Sequence, residues 1–445
     1  MRIWAPLILA GALGLGACAG GAPSTTPAPA PQDLSALQAE FDKNPRDANL
    51  ATRVGIGYYD ARNYARARDA LLAALAVDKA NYPAQVYLGL TYEELGQFSD
   101  ARKAYTDALE QARDGKRKSD LQGRLALLTQ KELRAQARDA IAQEARLSNQ
   151  PITGNAIAVM PFRFVGTNEE LRPVSRGLTQ LLITDLAKLS QLQLLEREQV
   201  QALVDEMSLT EAGRVDPATG ARSGRLLRAS RVIQGSVQDQ AARSELKVDA
   251  AVVDAKDARV IATGTGQDKL QELFTVEKQI LFRLVEQMGI TLTPADRRAL
   301  SERPTADLQA FLAYSRGLES EDRGDWAAAA SNFSTAVARD PNFRAAKVKE
   351  AKAQSVASAQ ATTATQLAGT TGESGGGAGE GDRRGQIATG VLNTTPTIGG
   401  TLVTRIGITP VYRAPITRPA LPETIGIDTP APPNVGTIII IITRP

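Results

Sequence analysis

Val54-Gly55-Ile56-Gly57-Tyr58-Tyr59 and Leu88-Gly89-Leu90-Thr91-Tyr92-Glu93 stand 34 residues apart and carry glycine and tyrosine at matching places. The match continues outward: Tyr64 recurs as Phe98, Ala67 as Ala101 and Ala74 as Ala108. A fixed period of this length marks an array of stacked supersecondary units. Two helices of a hairpin cross closely only where side chains are small, and aromatics fill the gaps beside them. The spacing therefore predicts paired helical hairpins over about 48–115. Two units alone bury little core, so flanking helices must cap them. Residues 33–44 and 119–148 have the charge and apolar spacing to do so. A third copy lies far downstream, at Gly317, Trp326, Ala329, Phe333, Ala336 and Pro341. Asp340-Pro341 ends its second helix, because proline cannot continue the hydrogen-bond ladder. The third hairpin is expected to pack on the middle of the chain or to be completed by a helix over 343–360.

The small residues and aromatics at these offsets resemble those of the tetratricopeptide repeat. That resemblance implies a helical domain over 33–150, a lone repeat-like hairpin over 304–360, and a groove that receives protein partners.

Residues 155–300 alternate strand and helix signals. Ala156 to Val165 is a largely apolar run that suits a buried strand. Leu178, Leu181, Leu182, Leu186 and Leu189 follow helical spacing, with Asp185 inside the stripe, where a carboxylate needs a partner or a wet edge. Gln191 to Arg197 reads as strand, and Gln199 to Glu206 and Pro217 to Arg228 as helices. Val232–Val237, Leu246–Asp254 and Arg259–Gly264 read as three strands, followed by a helix from Leu270 to Met288. Crossed strands first and a meander later predict an α/β sheet covered by helices. Glu196 and Glu198 flank Arg197, and this trio reads as a surface charge cluster.

Ile157-Ala158-Val159-Met160-Pro161-Phe162, Leu195-Glu196-Arg197-Glu198, Gln234-Gly235-Ser236-Val237 and Val252-Val253-Asp254-Ala255 resemble the strands of the CsgG family of curli secretion lipoproteins and their relatives. The same fold resembles lipoprotein activators of penicillin-binding proteins and the N-terminal domain of TolB-type proteins. The resemblance covers roughly a third of the chain and brings no catalytic residues. Gly235 reads as a site of close packing or a bulge, and Arg197 as the donor of a charge-assisted bond at a strand end. Pore-forming members carry two long insertions that become membrane-spanning hairpins, each needing strands of about 9–11 residues. Here only nine residues separate Val237 from Lys247, and the chain runs from Gly264 through Gly266 to the helix at Leu270. Neither place has room, so the expectation is a domain without the pore.

Near the start, Arg2 precedes an apolar run from Ile3 to Leu15, then Gly16 and Ala17, then Cys18, the one cysteine. This is the layout of a secretory signal over 1–17. It resembles the lipobox of bacterial lipoproteins, which implies acylation of Cys18 and attachment to the membrane through it. Ala19, in place of aspartate, implies the outer membrane, facing the periplasm. Residues 18–32 read as a tether rich in Ala, Gly, Pro, Ser and Thr. Residues 361–445 read as a low-complexity tail with prolines too frequent for long helices. It includes a Gly375-Gly376-Gly377 linker and an uncharged Thr437–Thr443 run able to add to a sheet edge.

Composition narrows the chemistry. The 445 residues include no histidine, which removes Ser-His-Asp triads and His-ligated metal sites. No phosphate-binding loop or nucleophile elbow is present. A net charge of +3 with 4% aromatics argues against nucleic acid as a partner. The expected fold class is α+β multidomain. No cofactor, metal or catalytic residue is assigned. The expected function is a non-enzymatic scaffold or adaptor for envelope assembly or secretion, whose helical repeats bind envelope or secreted proteins. Self-association through the sheet domain is allowed by the resemblance. The alternatives are a secretion-channel component and a regulator of peptidoglycan synthesis.

Overall fold

A computed structural model describes residues 34–152, 154–207, 216–240 and 245–369. The fold is α+β. Six helices come first: α1 (Leu34–Lys43), α2 (Ala48–Asp60), α3 (Tyr64–Val77), α4 (Tyr82–Glu94), α5 (Phe98–Gln111) and the long α6 (Gly115–Ala142). Most open on a side-chain cap: Asp47, Asn63, Asn81 and Asp114 each accept a backbone N–H from the first turn. The repeated small residues sit at the hairpin crossings. A Cβ on Gly55 would lie 2.6 Å from Leu71 Cγ, and one on Gly89 would lie 2.5 Å from Tyr105 Cε1. Gly317, far downstream, meets Phe333 in the same way.

After α7 (Glu144–Ser148) the chain builds a six-stranded sheet from β1 (Ala156–Val159), β2 (Arg163–Val165), β3 (Gln193–Leu194), β4 (Arg231–Gln240), β5 (Glu245–Asp254) and β6 (Val260–Lys269). The order is β3-β1-β4-β5-β6, with β2 also beside β4. The β3-β1-β4 part and the β2–β4 pair are parallel, and β4-β5-β6 is an antiparallel meander. The run Ala156–Val165 is not one strand. Pro161 cannot donate to a ladder, and β1 stops at Val159 before β2 resumes at Arg163. The strand expected over Gln191–Arg197 shrinks to two residues, because Arg197 already opens a helix.

Helices α8 (Arg172–Leu186) and α11 (Leu273–Gln287) cover one face of the sheet, and α9 (Arg197–Glu206) and α10 (Pro217–Leu227) the other. Burial on both faces explains why Val232–Val237 is buried throughout. β6 alternates instead, with Ala262, Gly264 and Gly266 buried and Thr263, Thr265 and Gln267 exposed, as an edge with one wet face should. Gly235 is a close-packing site: a Cβ there would strike the Phe162 ring. The β4–β5 ladder runs to Gln240↔Glu245, so only residues 241–244 lie between its paired ends. After β6, a single 3-10 turn at Leu270–Glu272 leads directly into α11.

Helix α12 (Pro294–Ser301) leads to α13 (Leu308–Asp322), α14 (Trp326–Arg339), α15 (Arg344–Ala361) and the short α16 (Ala364–Ala368). Both expectations for the third hairpin hold. α13 packs on α8, and α14 packs on α15. Phe311, Tyr314, Phe333, Phe343 and Val356 share one core with the α8–α11 face of the sheet.

Helix α6 joins these parts. Its 28 residues extend about 42 Å at 1.5 Å per residue. Leu121 and Leu128 enter the core of the N-terminal hairpins. Ala126 and Leu127 pack on the core shared by α8, α11 and the C-terminal helices. Ala137, with Leu133, Ala140 and Ile141, enters the core on the opposite face of the sheet. Gly123 continues the series Gly55, Gly89 at the same period. It meets no following helix of its own hairpin. A Cβ there would strike the Ser355 carbonyl of α15 instead, so α15 fills the seat that a second hairpin helix would take.

Gly123→Leu should therefore cost about 1–3 kcal/mol or more by overpacking against backbone. Gly115→Ala, at an α6 position where a Cβ meets nothing within 4 Å, should be neutral or slightly stabilising. Urea denaturation checks both; equal effects would remove the α6–α15 crossing as a packing constraint.

Candidate functional site

Two features stand out among the described residues: a buried charge junction where the sheet meets the C-terminal helices, and a helical face on α4 and α6 that is already covered.

The junction is built from four helices, α8, α9, α13 and α15. Arg197 opens α9 and is 7% exposed. Its guanidinium donates to Asp322 at the end of α13, and Arg176 Nε of α8 lies 3.2 Å from the other Asp322 oxygen. Beside it, Lys349 of α15 donates to Glu198 at 3.3 Å and to Glu321 at 2.9 Å. Lys352 reaches the same two carboxylates at 3.0 and 3.3 Å, and its ammonium lies 5.7 Å from the Trp326 ring centroid. Burial would raise the Glu198 carboxyl, but Lys349, Lys352 and Arg197 hold it well below its usual range. Glu321 is lowered against the same burial by the two lysines. Burial also weakens the case for a charged Arg197, yet Asp322, Glu321 and Glu198 push its pKa up. A cavity of about 30 Å³ remains beside the pair, lined by Arg134, Arg197, Glu198, Gln201, Glu321 and Asp322 among others. That is room for about one water.

Thus the trio is divided: Glu196 stays exposed, as a surface cluster predicts, whereas Arg197 is buried and Glu198 half-buried. Arg197 does make the charge-assisted bond expected of it. Nothing local could have revealed the burial, because every partner lies at least 120 residues downstream. The opposed charges tie these helices together, and burial raises the Asp322 carboxyl against the pull of Arg197 and Arg176, leaving its second oxygen buried without a hydrogen bond.

A second buried cluster joins α8 to α11. Asp185, predicted to need a partner, pairs with Lys188 at 2.8 Å and with Lys278. Glu277 lies against Lys278 at 3.3 Å. Burial pushes its carboxyl up to about 8, with Lys278 opposing and Asp185 reinforcing the shift.

The helical face begins at Glu93 of α4, whose side chain is fully buried. Arg124 donates to it at 2.8 and 2.9 Å, Lys131 at 2.8 Å and the Tyr105 hydroxyl at 2.7 Å. These bonds fix α6 on α4 and α5. At the other end of α4, the Tyr82 hydroxyl donates to the Leu367 carbonyl of α16 at 2.9 Å. Arg117 of α6 stacks over the Tyr82 ring at 5.3 Å. Part of the face of α4 and α6 is therefore covered by α16, the last helix among the described residues.

Cys18, the one residue assigned a modification from the sequence, lies outside the described residues, as do Gly375–Gly377 and Thr437–Thr443. Among the described residues, no group of His, Cys, Asp or Glu is placed to hold a metal ion. No described helix is long and apolar enough to cross a membrane.

Removing one partner of a buried pair strands the other charge, at a cost of about 3–5 kcal/mol. Arg197→Met and Asp322→Leu should each cost that much, and the double variant clearly less than their sum. Denaturation of all four proteins of the cycle tests this; strict additivity would mean that the two groups do not interact.

The family model of the curli production assembly/transport component CsgG matches residues 129–245, from the second half of α6 to the first residue of β5. The match takes in about a quarter of the chain. No curated protein matches. Among solved structures, the chain is similar to the LpoB C-terminal domain from Salmonella enterica at 12% identity and a TM-score of 0.22, covering 29% of this chain and 93% of that one.

Proposed function

We propose that this chain is a non-enzymatic lipoprotein of the outer membrane, held by Cys18 and facing the periplasm, where it scaffolds an envelope assembly or secretion system. The observation that carries the reading is the CsgG family match over the first part of the sheet domain, residues 129–245, in a chain whose strands close on short connections. A channel component is the second reading, and the family's transport description favours it. Against it, the β4–β5 ladder leaves four residues for a spanning hairpin, where each strand of one needs about 9–11. In the scaffold reading, the hairpins of α2–α5 act as tetratricopeptide-like repeats that present a face to protein partners. The sheet domain supplies a second surface, for another copy or for a periplasmic protein. In this reading, residues 18–32 serve as the tether between the membrane and the folded body.

Lipid attachment is the first requirement. Each buried methylene of an acyl chain adds about 0.8 kcal/mol, so more than one chain is needed for a lasting anchor. Cys18→Ser should move the protein from the membrane pellet to the soluble periplasmic fraction, or block removal of residues 1–17. Normal processing with an unchanged membrane fraction would contradict the anchor. Affinity capture from detergent-solubilised envelopes then separates the roles: secretion partners support the scaffold, and a cell-wall synthase would move the assignment to the regulator of peptidoglycan synthesis.

A further inference from the structure

Helix α4 is buried almost all round: every residue from Ala84 to Thr91 is covered. α2, its counterpart one repeat earlier, leaves Arg53 exposed and Ile56 and Gly57 half-buried. Part of the cover on α4 comes from α16, which lies against α4 and α6. Leu367 and Ala368 are 4% and 2% exposed and belong to the apolar core of the N-terminal hairpins.

The seat is specific in its chemistry. Tyr82 reads a backbone carbonyl, at Leu367. Burial pushes the Tyr82 hydroxyl up to about 12 against the pull of Arg117, so it remains a donor at every ordinary pH. The apolar floor takes a leucine followed by a small residue. Gly369 then turns the chain with a positive φ of 67°, at a point where a Cβ would press on the Arg117 guanidinium at 2.5 Å. The segment also carries its own start signal, since Thr363 and Gln366 form a reciprocal capping box.

A helix of five residues has no stability of its own. It holds its place because the seat is shaped for it and because the preceding helix delivers it. Asp120 of α6 accepts bonds from Ser358 and Thr362 at the end of α15, which sets α16 beside its seat at high effective concentration. A contact of this kind is open to exchange.

We propose that the α4–α6 face is a docking site for a short protein segment that presents a capped turn with leucine, a small residue and glycine, and that Thr363–Gly369 occupies this site in cis until such a segment displaces it. The inference deepens the scaffold reading and shares its assumption that the hairpins bind protein.

A fluorescent synthetic peptide with the sequence of residues 361–371 is the probe, read by anisotropy against the full chain. Leu367→Asp should empty the seat and bind the peptide at least tenfold more tightly than wild type. Tyr82→Phe added to Leu367→Asp should weaken that binding several-fold. The same peptide with its leucine replaced by aspartate should not bind. A folded Leu367→Asp chain, with an unchanged cooperative melt, that binds no better than wild type would overturn the proposal and leave α16 as a fixed cap. If Leu367→Asp does not fold, hydrogen exchange of the wild-type chain in excess peptide decides. Faster exchange over residues 364–368 supports displacement, and unchanged exchange overturns it. Envelope capture with the wild-type chain reports separately on the scaffold role, because partners held by other faces would still be recovered.

Discussion

The close crossing of α6 and α15 at Gly123 is the contact on which the rest of the structure depends. α6 begins as the next helix of the N-terminal array, with a small residue at the place where Gly55 and Gly89 admit their partners. It then fails to turn back. It continues to Ala142 at the far face of the sheet, 28 residues in all, and its empty seat is taken by α15, more than 200 residues later in the chain. The chain thereby closes a circuit: hairpins, α6, sheet, C-terminal hairpin, and back onto α6. Packing at this crossing tolerates no side chain, because the opposing atoms are backbone and cannot move aside.

The buried charges follow from that closure. With α13 packed on α8, the polar groups of Arg197, Glu321 and Asp322 are buried, while Glu198 stays half-buried. Arg176, Arg197, Lys349 and Lys352 pair with the three carboxylates Glu198, Glu321 and Asp322. Such a junction adds little net stability over an apolar one. It does impose register, since Lys349 and Lys352, one turn apart on α15, must both lie beside Glu198 and Glu321. The Glu93 cluster with Arg124, Lys131 and Tyr105 does the same for α4 and α6.

Much of this was legible in the sequence. The 34-residue period placed α2–α5, because small residues at hairpin crossings are a local requirement repeated in each unit. The strands of the meander were legible as short runs separated by short turns, and Asp185 was legible as a carboxylate that needs a partner or a wet edge because its stripe is otherwise apolar. Pro161 was visible, but its break in the first strand was missed because the apolar run continues past it. Gly123 is a third member of the glycine series at the same period, a signal present in the sequence. What could not be read was the partner of Gly123, the burial of Arg197, and the covering of α4 by α16. Each depends on residues brought together across the closed circuit, and a local pattern carries no signal for that.

The central claim is that hairpins, sheet and C-terminal helices form one cooperative body through α6. Trp4 and Trp326 are the only tryptophans, so in a Trp4→Phe chain Trp326 alone reports on the C-terminal hairpin beside the charge junction. Far-ultraviolet circular dichroism reports on every helix at once. In a urea titration, the account predicts that tryptophan fluorescence and helical signal are lost with one midpoint and one slope. Separate transitions, with the helical signal of the N-terminal hairpins lost apart from Trp326, would contradict it.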